Sequence, residues 1–222
     1  MSRPAVGTAP AVPLQIRTVT VLGASGTMGA AAAGLFAAYG EAQVYVTGRD
    51  SRRTAAAVGR AARSVRGDSI RTRMTPVAWE ELERAVAVSD LVFESVAEDA
   101  AVKAAVLARA AAAMRPDALL CTGSSGLSVT ALAGALPADT RRRFMGMHLF
   151  NPPGKMTLCE LISTPDTDPA LADAVQDWLE RTLRRQVVRT GDTPAFLANR
   201  IGLCFLHGAA HLAETCRDRG GD

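Results

Sequence analysis

Of the three histidines in the sequence, His148 has the surroundings that chemistry needs. It lies in Gly146-Met-His148-Leu-Phe150, which stops at Asn151-Pro152-Pro153, so it sits at a strand end, where α/β sheets open onto their ligand crevice. Glu160 follows twelve positions later on the next apolar stretch, and two neighbouring strands bring the side chains face to face. A carboxylate beside an imidazole fixes its tautomer and stabilises the imidazolium once a proton is taken, which equips a general base working near neutrality. The second signal is Gly23-Ala-Ser25-Gly26-Thr27-Met28-Gly29, between a β-branched run and an Ala-rich one. Glycines there allow a tight turn, close approach of a pyrophosphate and close helix–sheet packing, and the helix start offers free N–H groups to phosphate. The spacing is GxxGxxG rather than GxGxxG. The third signal follows the second strand, where Val44-Tyr-Val-Thr47 runs into Gly48-Arg49-Asp50-Ser51-Arg52-Arg53. An NAD-binding fold usually ends that strand with a carboxylate for the ribose 2′-hydroxyl. Here the position is Gly48, and a 2′-phosphate can dock on Arg49, Ser51 and Arg52 or Arg53. The reading favours NADP over NAD, and Asp50 reaching the ribose would reverse it.

These residues need elements to hold them, and the pattern supplies an alternation. Strands are predicted at Ile16–Leu22, Gln43–Thr47, Ile70–Met74, Leu91–Val96, Ala118–Thr122, Phe144–Phe150, Leu158–Ile162 and Gln186–Arg189. Helices are predicted at Met28–Tyr39 (closed by Gly40), Ser51–Arg66, Trp79–Val88, Val102–Met114, Leu127–Leu136, a segment capped by Asp168-Pro169, and Ala198–Cys216. Such spacing indicates a mostly parallel sheet covered on both faces. The composition, 222 residues with 48% hydrophobic and 21% charged, excludes a disordered chain. A net charge of +3 gives no reason to expect nucleic acid or an anionic membrane as partner, and no apolar run reaches the roughly 20 residues of a membrane span. Cys121, Cys159, Cys204 and Cys216 lack CxxC spacing and read as buried free thiols of a cytoplasmic protein. His207, His211 and Glu214 share a helical face but lack a complete ligand set, so no metal is expected.

Four segments, in order, resemble the N-terminal part of the 3-hydroxyacyl-CoA dehydrogenase family. They are the Gly-rich turn, Glu94-Ser-Val-Ala-Glu98-Asp-Ala-Ala-Val-Lys103, Gly146-Met-His-Leu-Phe-Asn-Pro-Pro153 with Glu160, and Thr193-Pro-Ala-Phe196-Leu-Ala-Asn199-Arg200. The resemblance runs from Val19 to about Cys216. It implies a Rossmann-like, doubly wound α/β fold and an oxidoreductase interconverting 3-hydroxyacyl and 3-ketoacyl thioesters with NAD(P). It implies that His148 is the base and Glu160 its partner, with Ser125 near the reacting oxygen. Asn199 and Asn151 would support the thioester, and Glu98 and Lys103 would contact the cofactor. As residue types, Ser125 and Asn199 also suit helix N-caps. The sequence departs from the family in Gly123-Ser124-Ser125-Gly126, in the extra turn residue, in the missing ribose acid and in a shortened segment before Glu94. The domain expectation is a disordered arm at 1–15, a dinucleotide-binding domain at 16–196, and at 197–222 the first helix of a helical domain otherwise missing. Expected partners are acyl-CoA and either a homo-oligomer or a chain supplying that domain. The alternatives are an acyl-carrier-protein thioester as substrate and a non-catalytic or split-enzyme nucleotide module.

Overall fold

The computed structural model describes residues 14–218. The expected arm at 1–15 falls outside them except for Leu14 and Gln15, as do residues 219–222. Eight strands form one sheet. They are β1 (Thr18–Leu22), β2 (Gln43–Thr47), β3 (Met74–Val77), β4 (Leu91–Glu94), β5 (Leu119–Thr122), β6 (Phe144–Leu149), β7 (Leu158–Ser163) and β8 (Gln186–Thr190). Their order is β3-β2-β1-β4-β5-β6-β7-β8. All pairs are parallel except β6–β7, so the last two strands run against the rest. The chain reverses its direction of travel across the sheet between β1 and β4, which is where such sheets open a crevice for ligand.

The helices are α1 (Thr27–Ala38), α2 (Ser51–Val65), α3 (Leu82–Val86), α4 (Ala100–Ala113), α5 (Val129–Ala133), α6 (Ala138–Arg141), α7 (Pro169–Arg181) and α8 (Ala198–Asp218). Phe36 of α1, Ala57 of α2 and Trp178 of α7 share a core on one face of the sheet; Leu82 of α3, Leu107 of α4 and Val129 of α5 share the other. Strands covered on both sides carry no alternation, and β1, β4, β5 and β6 are buried along nearly their whole length. The alanine richness has a packing reason. Helix α1 packs on the sheet side by side with α2, and a Cβ on Gly34 would come within 2.7 Å of the Ala61 carbonyl oxygen.

Several boundaries differ from expectation. The third strand begins at Met74, because Ile70 is buried by a 3-10 turn over Asp68–Arg73. Pro76 sits in that edge strand, the place in a sheet that tolerates a missing donor. The expected helix at Trp79–Val88 splits into a 3-10 turn and α3, and the helix at Leu127–Leu136 is only α5. Gly40 does not make the left-handed step after α1; Glu41 does, at φ 52°. Gly40 is needed because a Cβ there would lie 2.7 Å from the Phe36 carbonyl oxygen. Cys121 and Cys159 are buried thiols, and burial pushes Cys159 up to about 12, but Cys204 and Cys216 are exposed on α8. Among the described residues no helix is long and apolar enough to cross a membrane.

Candidate active site

The glycine turn follows β1 at the point where the strand order reverses. Gly23 adopts φ +89° and lies so close to β4's end that a Cβ would meet the Ser95 carbonyl oxygen at 2.4 Å. Gly29 is equally crowded, its Cβ position 2.5 Å from the Gly23 carbonyl oxygen. Gly26 differs, since its nearest neighbour would be 3.4 Å away. The space beside Gly26 is therefore open to a ligand, and α1 starts there with no side-chain cap on its free N–H groups. A cavity of about 190 Å³ adjoins the turn, with Gly23, Ser25 and Gly26, then Arg49 and Arg53, on its polar side. Trp79, Val96, Val102 and Val106 line its apolar side. A phosphate-bearing, partly aromatic ligand fits these walls.

At the β2 end of the cavity, Gly48 is buried because Ser25 occupies its side-chain space: a Cβ on Gly48 would lie 2.8 Å from Ser25 Oγ. Ser25 of the turn and the glycine at position 48 are thus fitted to each other. Asp50 caps α2, its carboxylate accepting the Arg53 N–H at 2.9 Å. Arg60 donates to the carbonyl oxygens of Ala24 (3.3 Å) and Ser25 (3.1 Å), holding the turn from outside.

His148 and Glu160 are directly paired across the antiparallel β6–β7 ladder. Imidazole Nδ1 lies 2.7 Å from Glu160 Oε2, with both side chains buried. The ring packs against Phe150 (4.4 Å between centroids) and Phe196 (5.7 Å). The other carboxylate oxygen of Glu160 accepts the N–H groups of Leu197 (3.0 Å) and Ala198 (2.8 Å), where α8 begins. One carboxylate therefore fixes both the histidine and the entry of the last helix. The strap into that helix is strained, with Ala195 at φ 61° and Phe196 at φ 52°. Asp192 ties its near end to α5 by accepting from Ser128 Oγ (2.8 Å) and from the N–H groups of Val129 (3.0 Å) and Thr130 (2.7 Å). The buried guanidinium of Arg185 donates to Pro153 and Met156 carbonyls at 2.8 and 3.0 Å, fixing the loop after His148.

Ser125 and Asn199 meet, the Asn199 carboxamide donating to the Ser125 carbonyl oxygen at 2.8 Å. Neither is a side-chain cap: Ser128 caps α5, and Asn199 lies inside α8. Glu98 accepts the Ser124 hydroxyl and the Ser125 N–H (2.7 Å). Burial pulls its carboxyl up, but the Ser124 hydrogen bond, the Lys103 charge and the Ser125 N–H outweigh that and hold it below its ordinary range. Lys103 is fully buried behind Glu98, and its ammonium goes chiefly to Glu94. Asn151 is exposed on the loop beyond His148, and His207 and His211 are exposed on α8. The sequence reading assigned no role to Glu94, Trp79 or Asp192. A carboxylate closing the apolar run Leu91-Val-Phe-Glu94 was the available signal for Glu94; the other two come together with the site only through the fold.

Residues 18–193 match the family described as "3-hydroxyacyl-CoA dehydrogenase, NAD binding domain". The chain belongs to this family. Within the 3-hydroxyacyl-CoA dehydrogenases it is 36% identical over 135 residues to the 3-hydroxybutyryl-CoA dehydrogenase of Bradyrhizobium diazoefficiens, covering 61% of this chain and 45% of that protein. It is 33% identical over 212 residues to the 3-hydroxyadipyl-CoA dehydrogenase of Escherichia coli, covering 90% of this chain and 43% of that protein. The crystal structure of M. tuberculosis FadB2 superposes with a TM-score of 0.81 at 29% identity, over 90% of this chain and 72% of that one. The chain spans less than half the length of these curated relatives. What the match covers is the dinucleotide-binding domain with its sheet and its histidine strand.

Proposed function

We propose that this chain is the dinucleotide-binding, base-carrying part of an oxidoreductase that interconverts 3-hydroxyacyl and 3-ketoacyl thioesters of coenzyme A. The observation that carries this reading is the buried His148–Glu160 pair at the mouth of the sheet. Glu160 accepts the Nδ1 proton, which leaves the lone pair of the neutral imidazole on Nε2. That nitrogen takes the 3-hydroxyl proton during oxidation and returns it during reduction, while Glu160 balances the imidazolium. Phe150 and Phe196 keep water from the ring and hold its plane. The Asn199–Ser125 contact brings a carboxamide and a hydroxyl-bearing residue to one place, and these neutral groups can bind the carbinol or carbonyl oxygen without competing for the proton. When bound, the nicotinamide dinucleotide supplies the hydride acceptor or donor; the turn at Gly23–Gly29, with Ser25, Thr27 and Met28, would hold its pyrophosphate, and Glu98, seated against Ser124 and Ser125, would contact it further along.

NADP(H) is the cofactor that the β2 end of the cavity favours. Gly48 offers no carboxylate, Asp50 is engaged as a helix cap, and Arg49 and Arg53 line the cavity. Titration of each dinucleotide against the protein tests this, and tighter binding of NAD(H) would refute it. On the substrate side, α8 exposes Ile201 (62%), Phe205 (75%) and Leu212 (66%), an apolar face against which further helical surface would complete the cleft. Reduction of a 3-ketoacyl-CoA, followed at the nicotinamide absorbance with and without His148→Asn, tests the reaction. Equal rates in the two proteins would remove the assignment.

A further inference from the structure

The loop that follows His148, residues 150–157, has almost no core of its own. Asn151, Pro152, Lys155, Met156 and Thr157 are exposed, and only Pro153 is buried. Its turn closes on itself, with the Lys155 and Met156 N–H groups both 2.9 Å from the Pro152 carbonyl oxygen. Gly154 lies against the last turn of α2, where a Cβ would collide with the Ser64 carbonyl oxygen. The other anchor is Arg185, just before β8. It is 5% exposed, and among the described residues no carboxylate lies within ion-pair distance of it. A buried cation without an acid is costly, so its placement points to a task. Nε donates to the Leu183 carbonyl oxygen (2.7 Å), and Nη1 donates to those of Pro153 (2.8 Å) and Met156 (3.0 Å). The guanidinium lies 5.8 Å over the Tyr39 ring at the end of α1, and the Arg185 N–H donates to the Leu179 carbonyl oxygen of α7 at 2.9 Å. Two helices thus hold the arginine that grips the loop.

We propose that Arg185 is a positioning residue for the reaction: by gripping the loop at Pro153 and Met156 it keeps Phe150 seated on the His148 ring. This rests on the reading of His148 as the base. The hydrogen bond from Nδ1 to Glu160 sets the tautomer and one edge of the imidazole, but leaves the ring free to tilt about that edge. The tilt, and with it the direction of Nε2, is limited by the phenyl rings packed against it, Phe150 at 4.4 Å and Phe196 at 5.7 Å. Phe196 is backed by the strap that Glu160 and Asp192 tie down. Phe150 stands three residues before Pro153, so its backing is the loop that Arg185 holds. None of Arg185, Pro153 and Met156 lines the cavity beside the glycine turn. The signature of this role is therefore lost chemistry with dinucleotide affinity kept. An arginine is suited to it because separate nitrogens of one planar fork reach Leu183 and the loop together, which the single nitrogen of a lysine does less well.

The test compares Arg185→Met, Arg185→Lys and Phe150→Leu with the unmodified protein. The chain has three histidines, and the ring-proton NMR signals of His148 are those that vanish in His148→Asn. Phe150→Leu removes the ring current on one side of His148 and so defines the full displacement of those signals. Arg185→Met is expected to move them at least about half as far, with 3-ketoacyl-CoA turnover lowered about 30-fold, within the range for a misplaced reacting group. Arg185→Lys should restore most of both, leaving turnover about 3-fold down. The dissociation constant of the reduced dinucleotide, read from its own fluorescence, should stay within about 2-fold in both Arg185 variants. Should Arg185→Met fail to fold, Arg185→Lys carries the same comparison. A lower melting point with the His148 signals and turnover unchanged would make Arg185 a residue of stability alone and overturn the proposal. Dinucleotide affinity falling as far as turnover would also overturn it, because the effect would then lie in the cofactor cleft. An unmodified protein that turns over no thioester would remove the reaction reading above, while the ring signals would still decide whether Arg185 seats Phe150.

Discussion

Two strand-to-helix turns carry this site, and they solve the same geometric problem in opposite ways. The turn after β1 takes its left-handed step at a glycine, Gly23. The strap after β8 takes two such steps at Ala195 and Phe196, which have side chains. At the first turn the backbone itself must come close to β4, and no side chain fits. At the second, a side chain is needed, because Phe196 is fully buried and packs on His148. The strain is held by Glu160 and Asp192. Backbone approach selects glycine; side-chain delivery keeps the strain and ties it down.

The largest test of this contrast is on Glu160. Glu160→Ala should release both His148 and the α8 entry, lowering turnover by about 10² to 10⁴. Glu160→Gln keeps an acceptor for Leu197 and Ala198, so it should melt much closer to the unmodified protein while still losing rate. Similar melts for the two variants would mean the carboxylate does not hold the strap. Next is Gly23→Ala, which forces both an unfavourable φ and a clash with Ser95. A loss of about 3 kcal/mol or more in chemical denaturation is expected, and unchanged stability would contradict the turn geometry.

Asp192→Asn should cost about 1 kcal/mol, the scale of a lost helix cap. Burial pulls the Asp192 carboxyl up, but hydrogen bonds from Thr130, Ser128 and Val129 prevail and hold it below the ordinary carboxylate range. Its contribution is then fully present above the unfolded value and is lost as pH falls through the lowered folded value. The stability difference between the two proteins should accordingly shrink in acid, as equilibrium unfolding at several pH values would show. Smallest is Ala195→Gly, which relieves a left-handed alanine and should leave the melting point unchanged or raise stability by up to about 1 kcal/mol. A clear drop would show that the strap is not strained.

Much of this was legible in the residues. The alternation of apolar runs and Ala-rich segments located the central strands, because parallel strands buried on both faces leave continuous hydrophobic runs, whereas the edge strand β3 was expected four residues too early. The facing of His148 and Glu160 followed from their placement twelve residues apart on consecutive strands. What escaped was non-local. The link between β6 and β7 spans only residues 150–157, too short for a crossover helix, and that length was the one sign that β7 turns back. Ile70 read as strand because burial and β-branching do not distinguish a strand from a buried 3-10 turn. The partners of Lys103 could not be read at all, since Glu94 and Glu98 lie at comparable sequence distance and only the fold ranks them. Cys204 and Cys216 read as interior because they sit among apolar residues, yet α8 presents that apolar surface outward.

The seat of Ser25 in the space of the Gly48 side chain also bears on how cofactor preference can be redesigned or drift between lineages. Installing an acid at position 48 in one step would drive its Cβ into Ser25 and Thr54. Shortening the turn in one step would leave a hole beside a glycine that has nothing to fill it. Each change is unfavourable alone and compatible only with the other, so the two positions form an epistatic pair. A library that varies the two positions together is therefore expected to reach altered cofactor preference sooner than libraries that vary either one alone.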